Sequence, residues 1–183
     1  LRQLDRGRGF AALAELKAQG EIKAIGAGVN EVGMIPRFIQ QFDVDYFLLA
    51  SPYNLLEQTA LDQDLPLCLE HGIDVVLGAV FASGILASGP RAGAKFRYQP
   101  ADEGVLARVR RIIEICERHS VSLRAAAMQF PLHHEAVNCI IPGANHPDQI
   151  TANLKAFASP IPEQFWREMK QQGCLPNEAP TAG

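Results

Sequence analysis

AVNCIIPGANHPDQITANL, residues 136–154, is the stretch that decides the fold. Its apolar run at 137–141 predicts a strand covered on both faces, which Pro142 and Gly143 end. Residues 146–149 then begin a helix, with a proline and an acid in its first turn. Apolar residues recur on one face of that helix, at Ile150, Leu154 and Phe157. A strand, a glycine turn and a helix N-terminus can hold an anion, but an ordinary strand-to-helix connection has the same pattern.

The same order of elements recurs upstream of this stretch. Further strands are predicted at 21–25, 44–50 and 73–80, and helices at 10–20, 34–42, 63–71, 103–119, 122–130, 148–157 and 162–172. Alternating strands and helices indicate a parallel α/β sheet, and four such units suit half of a (β/α)₈ barrel. A doubly wound sheet is the alternative. Both architectures place ligands in the loops that follow the strands, and these loops are rich in Gly, Asn, Ser and Pro.

The turn predicted at 26–30 carries two glycines, so a backbone there comes close to another group. It is not a dinucleotide fingerprint of the G-x-G-x-x-G type, because Glu31 stands where the third glycine belongs. Residues 1–9 are predicted to be a loop.

Composition limits the class of protein. The chain has 183 residues, 48% of them hydrophobic and 20% charged, with a formal charge of −3, which is typical of a globular protein and lacks the basic footprint of nucleic-acid binding. A closed barrel typically needs about 250 residues. Since the chain also begins with Leu1 rather than Met, we expect a piece of a longer product.

The cysteines and the hydropathy pattern bear on the compartment. The four cysteines include no C-x-x-C pair, and Cys68, Cys116 and Cys139 stand in apolar segments where reduced, packed thiols are expected. No signal sequence and no apolar run long enough for a membrane span is found. A cytoplasmic location is therefore predicted.

Few residues suggest chemistry on their own. His133 and His134 lack partners at metal-ligand spacing and are predicted to be solvent-facing loop residues, so no metal site is predicted. His146 could contact an anion or an adenine ring. Gln149 and Asn153 share one helix face and could reach one ligand. Ser83-Gly84 could donate to a diphosphate or simply form a turn. No catalytic acid or base can be named from residue types.

Four segments together resemble the C-terminal half of an aldo-keto reductase. They are IKAIGAGVN at 22–30, SPYNLLEQ at 51–58, GAVFASGILASGP at 78–90 and IPGANHPDQITANL at 141–154. The stretches FASGILASGP and AAAMQFPLHH are most similar to the sugar dehydrogenase branch, which includes L-fucose, D-galactose and D-threo-aldose 1-dehydrogenases, with pyridoxal 4-dehydrogenase close to it. The resemblance implies a (β/α)₈ TIM barrel whose strands five to eight this chain supplies, so that residues 1–183 are the C-terminal half of one domain and the N-terminal half lies outside the sequence.

The resemblance also implies a site for NAD or NADP. Gly28 and Asn30 correspond to the turn that approaches the nicotinamide carboxamide, although Gly28-Val29 replaces the usual Ser-Asn. Further matches are the diphosphate loop, at Phe81, Ser83 and Gly84, and the adenosine end, at Gly143, Ala144, Asn145, His146, Gln149 and Asn153. Ala50 replaces a nicotinamide-binding Gln, and Gly78 replaces a stacking aromatic residue. Basic residues are common at the positions of Gly143 and Gln149 in NADP-preferring relatives, so their absence favours NAD, and His146 is the candidate for tolerating NADP.

By resemblance, the function is NAD(P)-dependent oxidation of an aldose such as L-fucose or D-galactose at C1 to a lactone, or of a related aldehyde. The family's catalytic Asp, Tyr, Lys and His lie before this chain, and Tyr46, Tyr53 and Tyr98 do not match that Tyr. The chain alone is therefore expected to be inactive. The expected partner is a small sugar or aldehyde, and the oligomeric state is open. One alternative is a non-catalytic nucleotide-binding or scaffold protein of the same fold, and another is an unrelated barrel enzyme that binds a substrate phosphate at the last turn.

Overall fold

The computed structural model describes residues 9–182, so most of the loop predicted at 1–9 lies outside it. Its main sheet has four strands, all parallel, in the order β1-β2-β3-β6. The strands are β1 (Gly26–Val29), β2 (Tyr46–Ala50), β3 (Asp74–Gly78) and β6 (Val137–Ile140). Between the third and the last of them, β4 (Lys95–Phe96) and β5 (Gln99–Pro100) form a small antiparallel hairpin.

One helix precedes the first strand of the main sheet, and others follow its strands. They are α1 (Gly9–Ala18), α2 (Met34–Ile39), α3 (Asp64–Glu70), α4 (Ile85–Ser88), α5 (Glu103–Arg118), α6 (Leu123–Gln129), α7 (Pro147–Phe157) and α8 (Glu163–Gln171). Ser122 and Asp102 cap α6 and α5, since each side chain accepts a hydrogen bond from a backbone N–H in the first turn. Within residues 9–182, no helix is both long and apolar enough to cross a membrane.

The strand order distinguishes between the two predicted architectures. A doubly wound sheet reverses its strand order at a switch point and carries helices on both faces. Here the main-sheet strands keep their sequence order, and burial alternates along them. Phe47, Leu49, Val75 and Leu77 are buried on the helix side, whereas Tyr46 and Leu48 on the other side are each 37% exposed. Half of a barrel has this geometry, with one face of the sheet toward the helices and the other toward the axis.

This one-sided burial corrects the expectation that the last strand is covered on both faces. In β6, Val137 is buried on the helix side, but Cys139 is paired with Val76 and is exposed on the open face. The cysteine assignment changes accordingly. Cys68 and Cys116 are buried as expected, and the third buried thiol is Cys174 rather than Cys139.

The first strand also differs from its predicted position. The sequence suggested a strand at 21–25 and a turn at 26–30, but the strand is Gly26–Val29 and pairs with β2. The Tyr46 ring lies across Gly26, so a side chain at this position would require that ring to move. A Cβ at Gly26 would lie within 2.7 Å of three ring carbons of Tyr46. The group that approaches this backbone is therefore a side chain of the neighbouring strand.

Helix α7 begins one residue before its predicted start, and its apolar face is exposed. Ile150, Leu154 and Phe157, predicted to share one face, are 56%, 66% and 49% exposed. The buried positions are Asn153 and Ala156. Asn153 turns inward because its side-chain oxygen accepts a hydrogen bond from Arg124 of α6, a polar contact that hydrophobic periodicity cannot reveal.

Candidate functional site

The loops that follow β2, β3 and β6 meet at one cavity of about 780 Å³. This volume falls within the range of roughly 300–1,000 Å³ that is usual for ligand sites. Its walls are formed by residues 50–51 at the end of β2, most of residues 79–88 after β3, Arg124 of α6, and parts of the loop that carries the β4–β5 hairpin. From the segment after β6, the lining residues are Ile141, Gly143, Ala144, Asn145 and Gln149. The carboxyl ends of parallel strands thus form a single binding-site candidate, as α/β architecture predicts.

The backbone around this cavity is strained. Seven residues other than glycine have a positive φ within residues 9–182, and five of them line the cavity, namely Ser51, Ala79, Ala82, Ser83 and Tyr98. Each such conformation costs of order 1–3 kcal/mol and persists only where the surrounding structure holds it, most often at functional sites. Gly84, at φ 95°, completes the turn without that cost and directly precedes α4. Three of the five, Ala79, Ala82 and Ser83, lie in the loop after β3, which marks that loop as the functional part of the sheet edge.

Seven of the eleven predicted cofactor residues line the cavity. They are Phe81, Ser83, Gly84, Gly143, Ala144, Asn145 and Gln149. Gln149 also shapes the turn, because its side-chain oxygen accepts a hydrogen bond from the Asn145 backbone N–H at 2.9 Å. The diphosphate and adenosine segments predicted from the sequence therefore share one cavity.

The other four predicted residues lie elsewhere. Asn153 is buried behind the cavity wall, where it holds Arg124. His146 caps α7, since its Nδ1 accepts a hydrogen bond from the Asp148 backbone N–H at 3.3 Å, and its ring is largely exposed. Gly28 is within β1 on the open face, and Asn30 follows that strand, so neither belongs to the cavity wall.

The charge of the cavity wall is opposite to the charge of the chain. Arg91, Lys95 and Arg124 line it, and no Asp or Glu does so among the described residues. In a chain with formal charge −3, this local excess of positive charge favours an anionic ligand. Small residues such as Ala79, Ala82 and Gly143 are also part of the wall.

Sequence reasoning missed these three cations. Arg91 and Lys95 lie in the long loop between α4 and α5, and Arg124 lies in the first turn of α6, far from any glycine turn. The length of the loop at 88–101 was the available signal for Arg91 and Lys95. Nothing local distinguishes Arg124 from an exposed arginine, because its direction depends on Phe81 and Asn153, which are distant in sequence.

The loop that contains the hairpin is fastened beside the cavity at two points. Ser83 Oγ accepts a hydrogen bond from the Tyr98 backbone N–H at 3.0 Å. The Arg97 guanidinium forms an ion pair with Glu57, whose side chain is only 9% exposed. These contacts connect the loop to the β3 turn and to the segment that follows β2.

The adjacent histidines are not the solvent-facing loop residues that the sequence suggested. His134 is buried, its Nδ1 accepts a hydrogen bond from the Ala136 backbone N–H at 3.2 Å, and its ring packs against Tyr53. His133 packs edge-on against the buried Trp166. Burial lowers the pKa of both imidazoles. Within residues 9–182, no group of three or more potential metal-ligating side chains comes together.

Comparison with known proteins shows what the chain is similar to. The model described as the Aldo/keto reductase family matches residues 3–173. Pyridoxal 4-dehydrogenase of Microbacterium luteolum is 45% identical over 173 residues, which are 94% of this chain and 50% of that protein. D-threo-aldose 1-dehydrogenase of a Pseudomonas species is 36% identical over 168 residues, 91% of this chain and 51% of that protein. The chain thus spans about half the length of these curated relatives.

Solved structures agree on the fold. An aldo-keto reductase of Bacillus halodurans in its holo form superposes with a TM-score of 0.69 at 23% identity, over 89% of this chain and 54% of that one. Glycerol dehydrogenase of Gluconobacter oxydans gives a TM-score of 0.67 at 18% identity, over 93% and 56% of the two chains. The prediction of an α/β chain that corresponds to about half of a (β/α)₈ barrel is confirmed.

Proposed function

Because the chain belongs to the aldo/keto reductase family, we propose that it forms the cofactor-binding second half of a (β/α)₈ barrel oxidoreductase that uses NAD or NADP. Residues 1–183 are then the C-terminal part of one barrel domain. The observation that carries the cofactor assignment is the cavity of about 780 Å³ lined by three cations and, within residues 9–182, by no carboxylate. A dinucleotide diphosphate needs this combination of space and positive charge.

Each part of the wall has a role in this proposal. Phe81, Ser83 and Gly84 form the turn that holds the diphosphate, with Arg91 and Lys95 of the adjoining loop supplying its counter-charges. The adenosine end is held by the turn from Gly143 to Gln149, with Asn153 behind it. Gly28 and Asn30 serve the nicotinamide end of the cofactor. Neutral residues at Gly143 and Gln149 favour NAD when only these two positions are considered.

The reaction follows from the relatives. We propose oxidation of an aldose such as L-fucose or D-galactose at C1 to its lactone, or of a pyridoxal-like aldehyde, in line with relatives named as aldose and pyridoxal dehydrogenases. When bound, the cofactor supplies the hydride acceptor for that oxidation. The catalytic Asp, Tyr, Lys and His are expected in the preceding half of the barrel, so this chain binds and orients the cofactor and contributes no acid or base.

Introducing a negative charge at one glycine tests the proposal. A Cβ at Gly143 meets no atom within 4 Å, so Gly143→Glu can be accommodated and places a carboxylate in the cavity wall. Repulsion from the cofactor phosphates should raise the Kd of NADH and NADPH about 10- to 100-fold. Gly143→Gln has nearly the same size without the charge and is the matched control, for which we expect less than about a threefold change.

The measurement is fluorescence titration of NADH and NADPH into the complete protein, together with formation of reduced nicotinamide from L-fucose, D-galactose and pyridoxal. Binding without turnover of any of these compounds would favour a non-catalytic nucleotide-binding protein. No binding of either dinucleotide, or equal effects of the Glu and Gln variants, would contradict the assignment of this cavity.

A further inference from the structure

Asp64 is a buried acid that no basic side chain neutralises. It lies in the first turn of α3 and is 0% exposed. None of the ion pairs among residues 9–182 includes its carboxylate. Burial raises the pKa of this carboxyl, and the Gly33 backbone N–H opposes that shift. Because a buried carboxylate without a counter-ion costs folding free energy, its presence favours a role other than stability.

The carboxylate of Asp64 faces a distant loop. Both of its oxygens lie 3.3 Å from the backbone nitrogen of Gly33, which is 31 residues away in the sequence and donates a shared hydrogen bond to them. Gly33 is the residue at which the loop after β1 turns into α2, and it has a left-handed backbone with φ 80° and no side-chain cap. Asp64 therefore holds the end of this loop from the neighbouring helix.

The loop after β1, residues 30–33, is short and exposed between two fixed ends. At its start, Val29 is buried and pairs with Leu49 of β2. Its middle residues are exposed, and Val32 is 50% exposed. Among the described residues, the bond to Asp64 is the only hydrogen bond from residues 31–33 to a distant part of the chain. Loss of this bond should therefore release the loop without opening the core.

The loop lies at the end of the sheet edge to which the nicotinamide end of the cofactor is assigned. All four main-sheet strands are parallel, so residues 30–33 are at the same edge as the cavity, next to residues 50–51 at the end of β2. In strand order, the adenosine turn follows β6, the diphosphate turn follows β3, and the loop after β1 lies beyond β2. A dinucleotide that extends along this edge from β6 directs its nicotinamide toward β1.

We propose that Asp64 is the positioning residue of this loop, and that its hold on Gly33 keeps residues 30–33 in place for the nicotinamide end of the cofactor. Asp64 acts through the loop and not by contact with the cofactor. The apparent Kd of a ligand rises in inverse proportion to the fraction of protein in the competent conformation, so release of the loop weakens binding of the nicotinamide part. This inference rests on the proposed function, because it requires a dinucleotide along the sheet edge.

NADH and ADP-ribose separate the nicotinamide end from the rest of the cofactor. ADP-ribose lacks the nicotinamide, and the two ligands can be titrated into the complete protein by fluorescence and calorimetry. Asp64→Leu keeps roughly the shape of the side chain but removes both acceptor oxygens. We expect it to raise the Kd of NADH about tenfold and that of ADP-ribose less than about threefold. Asp64→Asn keeps one acceptor oxygen and should bind NADH within about threefold of the wild type.

Amide hydrogen exchange of the ligand-free complete protein observes the loop directly. In the wild type, the Gly33 amide should be protected at least about tenfold more than the Val32 amide, which has no acceptor among the described residues. In Asp64→Leu this difference should disappear, and in Asp64→Asn it should be retained in part. The comparison of the two wild-type amides does not depend on whether any variant folds.

Two controls separate the loop from general effects of the substitution. Asp62→Leu makes the same change at an exposed acid that precedes α3 and forms no hydrogen bond to Gly33. It should leave the loop exchange and both Kd values unchanged. The melting temperature of Asp64→Leu should be no lower than that of the wild type, because an unpaired buried carboxyl has been removed.

The outcomes distinguish this inference from the function on which it rests. If the wild type binds both ligands but Asp64→Leu binds NADH as the wild type does, or loses affinity for both ligands equally, the role of Asp64 is wrong and the proposed function stands. Equal effects of Asp64→Asn and Asp64→Leu on NADH, or equal protection of the Gly33 and Val32 amides in the wild type, also overturn that role. If the wild type binds neither ligand, the proposed function is wrong, and the role of Asp64 toward the nicotinamide falls with it.

Discussion

Two buried imidazoles connect the stability of this protein to pH. His134 Nδ1 accepts a hydrogen bond from the Ala136 backbone N–H, which requires the neutral form of the ring. His133 packs against Trp166, and its Nε2 is buried without a hydrogen-bond partner among the described residues. Burial lowers the pKa of both histidines below their ordinary value of 6.5, with Lys170 lowering that of His133 further and Glu135 partly opposing the effect at His134.

These pKa directions predict a loss of stability in mild acid. A histidine whose pKa is lower in the folded state takes up its proton first in the unfolded state, so the free energy of unfolding falls as pH drops through 6.5 toward the folded pKa. Each imidazole contributes a slope of at most about 1.4 kcal/mol per pH unit. Urea unfolding at a series of pH values should show a shallower fall in His134→Gln and His133→Gln than in the wild type.

The pKa of Asp64 is shifted in the opposite direction, so its effect on stability has to be separated from that of the two histidines. Burial raises the pKa of its carboxyl, although the Gly33 backbone N–H partly opposes this shift, so its contribution to folding improves as pH falls. The comparison must therefore be made between each variant and the wild type, and not from the wild-type curve alone. Identical pH profiles for the wild type and both histidine variants would show that neither imidazole titrates as its burial implies.

At the scale of elements, the hairpin loop is held by contacts that a single substitution can remove. The Arg97 ion pair with Glu57 is partly buried on the Glu57 side, and Tyr98 is fastened to Ser83 of the cavity turn. Arg97→Gln should release the loop, because a neutral amide cannot replace the charge-assisted contact. An ion pair of this kind contributes about 1 kcal/mol or less, which corresponds to roughly a fivefold larger open population.

Limited trypsin digestion of the complete protein measures that population, with cleavage after Arg91 and Lys95 as the signal. When opening is fast relative to cleavage, the cleavage rate follows the open fraction, so we expect up to about fivefold faster cutting in Arg97→Gln. Arg110→Gln breaks an ion pair that is exposed on both sides, with Glu103 on α5, and should digest as the wild type does. Equal digestion of all three proteins would mean that the Arg97–Glu57 contact does not hold the loop.

How far sequence predicts an element depends on what positions it. Strands β2 and β3 were predicted almost correctly, because short apolar runs indicate them directly. The shift of β1 to Gly26–Val29 was missed because two glycines resemble a turn, and only the Tyr46 ring of the next strand explains Gly26. In α7 the bounds follow from Pro147 at the helix start, but the inward face depends on a contact between Arg124 and Asn153.

At the scale of the whole molecule, the cavity too was predicted only in part from the sequence. Its two glycine-containing segments were found from sequence because backbone turns have local signatures. Its charge was not found, since Arg91, Lys95 and Arg124 come from a long loop and a helix whose directions are set by tertiary contacts. The sequence therefore predicts the backbone turns at the cavity, and the structure is needed to see which charged side chains line it.

The open face of the sheet yields a test of the barrel proposal. Cys139 is exposed on this face beside Val76, whereas Cys68, Cys116 and Cys174 are buried. Burial raises the pKa of the Cys68 and Cys116 thiols to about 12, so they are protonated near neutral pH and react slowly. If a preceding half closes the barrel, the axis-facing Cys139 is covered as well, because small barrels are filled by side chains.

We therefore expect iodoacetamide to label none of these four cysteines quickly in the complete native protein, and to label Cys139 selectively in residues 1–183 produced alone. Peptide mass spectrometry identifies the labelled thiol, and Cys139→Ser should remove that label. Rapid modification of all four cysteines in the separate chain would mean that this chain does not hold its fold alone. The test of the closed barrel would then rest on the labelling of the complete protein. Rapid modification of Cys139 in that protein would contradict the closed barrel, since a side chain packed around the axis is not accessible to the reagent.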